Sequence, residues 1–192
     1  MSKNQLVSRM LSEAERTMAS MRRLAPSIAK TGALIATRLG RGGKILTAGN
    51  GGSAADAMHL AEELVGSFKS NANRKSLSAV ALTADGTLLT CIANDFGYEE
   101  VFSRQVEGLG RRGDVLVLFT SSGDSENLLR AVRSARKKGV TTIGLLGKGG
   151  GKLKGKADHE IIVPSRSTAR IQEVHTFILH CWLEIIEGSQ GR

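Results

Sequence analysis

Short unbroken apolar runs alternate along the chain with segments whose apolar residues recur every three to four positions. Such a pattern is expected of strands buried on both faces with amphipathic helices packed over them. The runs at 44–48, 78–82, 114–119, 141–146 and 159–163 predict five strands. Helices are predicted just after Ser53, at about 87–93, 98–109 and 126–138, and from about 167 to the C-terminal region. Strands alternating with helices predict a parallel sheet with right-handed crossovers and helices on both faces, and ligands gather at the carboxyl ends of such strands. Before the first strand, Leu6, Met10, Ala14, Met18 and Met21 form one helical stripe. Such a face needs a partner, either its own sheet or a second subunit.

Two strand ends carry the same kind of junction. The first strand runs into Gly49-Asn50-Gly51-Gly52-Ser53, with Ser53 expected to cap the following helix. The third strand runs into Thr120-Ser121-Ser122-Gly123-Asp124-Ser125, and Ser125 is placed to cap the next helix. Glycines let backbone approach a ligand, and free amides at a helix start favour an anion. Hydroxyls add donors without charge. Serine and glycine are also the default loop formers, so it is the repetition of the design that points to a phosphate-binding site. The dinucleotide pattern G-x-G-x-x-G and the Lys-Ser/Thr pair of a P-loop are both absent here, which disfavours nucleotide-dependent phosphoryl transfer.

Composition narrows the class. The chain has 192 residues, 41% of them hydrophobic, with two prolines and no low-complexity tract, which predicts one domain over 1–192. Residues 1–30 are expected to form a helical oligomerisation segment, and the run 147–156 a mobile loop. Apolar stretches are too short to span a bilayer and the N-terminus is charged throughout, so no membrane contact and a cytoplasmic location are expected. Cys91 and Cys181 lie in apolar stretches without metal-ligand spacing, as expected of buried reduced thiols. The formal charge of +9 is compatible with nucleic acid or with an anionic small substrate. Its cations are dispersed, one Trp and one Tyr offer little stacking surface, and no nucleic-acid motif stands out, so nucleic acid is not an expected partner.

Four polar residues bring candidate chemistry. His59 and Glu63 are four apart on one predicted helix, about 40° apart around its axis, while Gln172 and His180 are eight apart on the last helix, about 80° apart. Together they can form a metal cluster, with Gln the weakest ligand type of the four. Each pair alone is equally the pattern of a surface pair or of a hydrogen-bonded core histidine.

The run 49–53 with Asp56-Ala57-Met58-His59 and Ala61-Glu62-Glu63, then Ala93-Asn94-Asp95-Phe96-Gly97-Tyr98, Ser122-Gly123-Asp124-Ser125 and Arg170-Ile171-Gln172-Glu173-Val174-His175, resembles the bacterial phosphoheptose isomerase family of the sugar isomerase (SIS) superfamily over nearly the whole chain. The resemblance implies a three-layer α/β/α sandwich with a five-stranded parallel sheet and an added N-terminal helix, assembled as a homotetramer with sites between subunits. It implies isomerisation of sedoheptulose 7-phosphate, a phosphorylated heptose, through an enediol(ate), with Glu63 as the base and His180 exchanging protons with the oxygens. It also implies one zinc ion per subunit on His59, Glu63, Gln172 and His180. Asn50, Gly51, Gly52, Ser53, Asn94, Asp95, Thr120, Ser121, Ser122, Ser125 and Gln172 match substrate-binding positions. Three departures bear on sugar preference: Thr120-Ser121-Ser122-Gly123 replaces the usual Ser-Thr-Ser-Gly, Ala169 stands where some members place an acid, and 69–75 lacks a proline-containing connection. Alternatives within the superfamily are a regulator that binds the replication initiator and an isomerase of another phosphosugar. Retention of both Glu63 and His180 favours the heptose isomerase.

Overall fold

A computed structural model describes residues 1–69 and 74–190; the centre of the departing connection, residues 70–73, lies outside the described residues. Five parallel strands, β1 (Ile45–Gly49), β2 (Ala79–Ala81), β3 (Val115–Thr120), β4 (Thr141–Leu146) and β5 (His159–Ile162), form one sheet in the order β2-β1-β3-β4-β5. The register pairs Ile45 with Ala79 and Val115, Val115 with Thr141, and Ile143 with His159. Because successive side chains of a strand point to opposite faces, each apolar run supplies two cores. Ile45, Val115, Val117, Phe119, Ile143 and Leu145 face one side. Leu46, Ala48, Leu116, Leu118 and Leu146 face the other.

Helices α2 (Ala25–Gly40), α3 (Gly52–Val65) and α7 (Thr168–Gln190) cover the first face through Ile35, Leu39, Leu60, Leu64, Ile178 and Trp182. Helices α4 (Gly86–Phe96), α5 (Ser103–Leu109) and α6 (Glu126–Lys138) cover the second through Ile92, Val106, Leu128 and Val132. The expected three-layer α/β/α sandwich is therefore the architecture observed. Pro26 and Gly32 interrupt the apolar pattern of α2 and mask it in the sequence. In space Pro26 suits the first helical turn, and Gly32 lies where a Cβ would press on Trp182 and Ile185 at 2.9 and 2.8 Å. Trp182 Nε1 donates to Ile28 O (3.1 Å) and Thr31 Oγ1 (3.0 Å) across the same contact.

The first helix, α1 (Lys3–Ser20), opens with a capping box between Ser2 and Gln5 and buries none of its residues. Its tie to the body includes Arg170, whose Nη1 donates to Met10 O at 2.6 Å. Residue 30 falls inside α2.

Several local expectations change. The predicted helix over 98–109 divides into a 3-10 turn at Tyr98–Glu100 and α5, because Val101 and Phe102 turn fully into the second core. Residues 148–153 form a turn that anchors Leu153 in the same core. Cys91 is exposed on α4 rather than buried, and Cys181 is half-buried; both are free thiols. The apolar stretch around Cys91 belongs to an amphipathic helix on which Cys91 takes the outer side. Among the described residues no helix is long and apolar enough to cross a membrane.

Candidate active site

The two glycine-containing junctions lie side by side because β1 and β3 are neighbours in register. Helix α3 begins at Gly52 with Gly51 as its N-cap, at φ 57° and ψ −125°. Ser53 therefore lies buried in the first turn instead of capping it: the positive φ, which glycine tolerates, starts the helix two residues early. At the second junction Ser125 does hold the N-cap position of α6, but its side chain makes no cap bond and stays available to a ligand. Gly123 N donates to Thr120 Oγ1 (3.0 Å) and Asp124 N to Ser122 Oγ (3.2 Å).

Between these loops is a hollow of about 250 Å³, lined by Asn50, Gly52, Ser53, Phe119, Thr120, Ser121, Ser122, Ser125, Thr168 and Gln172. The N-termini of α3, α6 and α7 and six hydroxyl side chains, Thr168 among them, converge there, an arrangement suited to an anion. Gly52 keeps it open, since a Cβ there would overlap the Gln172 amide. Of the sequence-assigned binding residues, Gly51 supplies the turn without lining the hollow. Asn94 and Asp95 lie outside it on α4, exposed and bonded to each other at 2.8 Å. Ala169 is exposed in the first turn of α7.

A second group forms further along α3. Helices α3 and α7 run in step: Gln172 lies beside Gly52, Thr176 Oγ1 donates to Asp56 Oδ1 (2.9 Å), and the His59 and His180 rings meet edge-on with centroids 5.1 Å apart. His59, Glu63 and His180 each offer a ligand atom, all within 4.8 Å of one another, with His59 Nε2 3.3 Å from Glu63 Oε1. Phe68 stacks on His180 at 5.5 Å. Two imidazoles and a carboxylate are an ordinary zinc donor set. Gln172 lies two helical turns from His180, about 12 Å along the axis, with its amide at the anion hollow.

Residues that support the site escaped sequence reading. Asn50 and Asn127 exchange amide hydrogen bonds (3.0 and 2.9 Å), and the Tyr98 hydroxyl donates to Asn50 Oδ1 (2.9 Å), which ties the two loops together. Arg74 donates to Glu63 O (2.7 Å) and Leu64 O (3.0 Å) and pairs with Glu187, closing the last turn of α3 beside Glu63. Asp56 is buried with Oδ2 unpartnered. Burial raises its carboxyl above the usual range, opposed by the Thr176 hydrogen bond and the nearby His59. Asn127 and Arg74 have no local signature, and Asp56 and Tyr98, though they lie in the resembling runs, take their roles from partners far away in sequence, Thr176 and Asn50. His175, part of the resembling motif, is a core residue against Phe119, and burial lowers its imidazole to about 4.

An open parallel sheet with a hydroxyl-lined hollow at its carboxyl edge defines an α/β class whose ligand site lies at the strand ends. The SIS domain family model matches residues 10–147. The chain is 56% identical to the phosphoheptose isomerase of a Nitratiruptor species over 76% of this chain and 77% of that one. It is 51% identical to phosphoheptose isomerase 1 of Campylobacter jejuni over 84% and 86% of the two chains. A solved phosphoheptose isomerase from Francisella tularensis superposes with a TM-score of 0.94 at 35% identity, covering 98% of this chain and 100% of that one. The chain belongs to the SIS domain family, among its phosphoheptose isomerases.

Proposed function

We infer that the chain is an aldose–ketose isomerase that interconverts sedoheptulose 7-phosphate and D-glycero-D-manno-heptose 7-phosphate. The observation that carries this reading is the meeting of Glu63 and His180, from helices far apart in sequence, beside His59. His59 stands seven residues from Gly52 along α3, about 10 Å. A heptose phosphate, with its phosphate and carbonyl at opposite ends, has the length to occupy the hollow and reach this group.

The hydroxyls of Ser53, Thr120, Ser121, Ser122 and Ser125 and the start of α3 hold the phosphate. Glu63 removes a proton from C1 of the ketose and returns it to C2, and the electron pair passes through an enediolate. His180 moves a proton between the two oxygens as they exchange carbonyl character. His59, Glu63 and His180 fit a zinc ion, one per subunit, whereas Gln172, the fourth ligand implied by the resemblance, lies about 12 Å further along α7 with its amide at the anion hollow. Such an ion, when bound, polarises the carbonyl and stabilises enediolate charge.

The assembly is read as a homotetramer in the cytoplasm, with its product feeding lipopolysaccharide or another surface glycan. Support comes from α1, which leaves Leu6, Val7, Met10 and Leu11 exposed, and from an apolar hollow of about 760 Å³ lined in part by Met18, Met21, Ile28, Phe177 and Ile185. Light scattering at micromolar concentration should give four times the chain mass; a monomer mass would sink this assembly.

For the reaction, NMR of the intact protein with sedoheptulose 7-phosphate should show the aldoheptose, and no conversion would overturn the assignment. Glu63→Gln should lower turnover at least ~100-fold, the lower range for a general base, while the sugar phosphate still binds. Unchanged turnover would remove Glu63 from the mechanism.

A further inference from the structure

The opposite pole of the sheet carries a second set of glycine-rich loops. Gly40-Arg41-Gly42-Gly43-Lys44 enters β1, and Gly110-Arg111-Arg112-Gly113-Asp114 enters β3. Because these strands are adjacent and parallel, the two loops pack backbone to backbone: a Cβ on Gly43 would lie 2.7 Å from Gly113 O. They enclose a hollow of about 510 Å³ whose lining includes Arg38, Arg41, Lys44, Arg111 and Arg112, with Asp114 as its one acid among the described residues. Strand β3, six residues or about 20 Å long, separates it from the anion hollow of the active site.

The charges there do not cancel. Asp114 is buried and spent: Lys44 Nζ donates to it at 2.5 Å, Lys44 N at 3.0 Å and Arg111 N at 2.9 Å. Among the described residues, Arg38, Arg41, Arg111 and Arg112 form no ion pair. Helices α2, α5 and α6 end at this pole, α6 with its C-cap Gly139 beside Arg112, and each helix C-terminus offers at most about half a negative charge. Four guanidiniums against three such ends leave roughly two to three positive charges around a concave surface. An orthophosphate ester carries up to about two negative charges, so the balance matches a ligand with two or three linked phosphates. Guanidinium forks grip such oxygens in pairs.

We propose that this arginine-lined hollow is a second ligand site, which binds a diphosphate or triphosphate group about 20 Å from the phosphate-binding hollow of the active site. The ligand is either free pyrophosphate or a small metabolite bearing the same group. Isothermal titration of the full-length protein at about 0.1 M salt, where screening reaches ~10 Å, tests this with inorganic pyrophosphate, a nucleoside diphosphate and orthophosphate. Saturable pyrophosphate binding, tighter than orthophosphate, is expected, and the double variant Arg41→Gln with Arg111→Gln should weaken it at least about tenfold. Both arginines are exposed, so the variant keeps its fold and its isomerase turnover in the absence of pyrophosphate. Tighter binding of the nucleoside diphosphate would assign the site to a metabolite; equal binding would assign it to pyrophosphate itself. An unchanged affinity in the double variant, or loss of binding with Ser122→Ala instead, would overturn the proposal. So would preferential binding of duplex DNA through the same arginines.

Discussion

Gly123 offers the sharpest link between backbone and activity. It adopts φ 75°, and a Cβ there would overlap the carbonyl of Gly150 and lie 3.0 Å from Gly151 N. Those atoms are backbone, held by Leu153 N donating to Gly123 O (2.9 Å) and Lys152 N to Asp124 Oδ1 (3.0 Å), so they cannot swing aside as a side chain would. Gly123→Ala incurs about 1–2 kcal/mol for the left-handed conformation and about 1–3 kcal/mol for overpacking. The sum, about 2–5 kcal/mol, is a large part of a typical stability of about 5–15 kcal/mol. Relief requires moving the loop that carries Ser121, Ser122 and Ser125, which holds the phosphate. Urea unfolding at fixed protein concentration, followed through Trp182, should show a clearly lower midpoint, and KM for sedoheptulose 7-phosphate should rise about tenfold or more. A variant with unchanged midpoint and unchanged KM would refute the view that this contact sets the loop.

Two further outcomes follow from buried or clustered imidazoles. His175 titrates near 4 in the folded protein against 6.5 for the ordinary side chain. Between those values the unfolded chain binds the extra proton, so stability is full above about pH 6.5 and falls as pH drops toward 4, by roughly 3 kcal/mol in all. His175→Phe should flatten that part of the stability profile relative to the parent, and parallel profiles would remove His175 as the cause. His180→Ala should weaken zinc binding at least about tenfold, because one of three clustered donors is lost. Metal analysis after dialysis against limiting zinc measures this, and equal zinc content in variant and parent would break the proposed ligand set.

Much of this molecule is written in local pattern. The run from Thr141 to Leu146 and the helix from Glu126 to Lys138 coincide with the observed elements, since an apolar run bounded by glycines and a helix closed by Gly139 in the left-handed conformation are short-range features. The five strands, their parallel arrangement and both anion-loop junctions were legible for the same reason. Boundaries failed where a glycine's dihedral decided them: Gly51 displaced Ser53 from the cap. Helix α2 was hidden because Pro26 and Gly32 look like interruptions until Trp182 and Ile185 are placed against them.

The sequence determined which residue types were available and, through the spacing of His59 and Glu63, that two of them share one helix face. Tertiary structure alone decided that α7 runs in step with α3, bringing His180 to that pair while Gln172 stays at the anion hollow two turns away. It alone decided that Asn127 and Tyr98 fix Asn50, that Arg74 closes the turn beside Glu63, and that Asp56 is buried. The division has a physical cause: helical and strand periodicity follow from neighbouring dihedrals, whereas the meeting of distant side chains follows from how the two cores pack on opposite faces of one sheet.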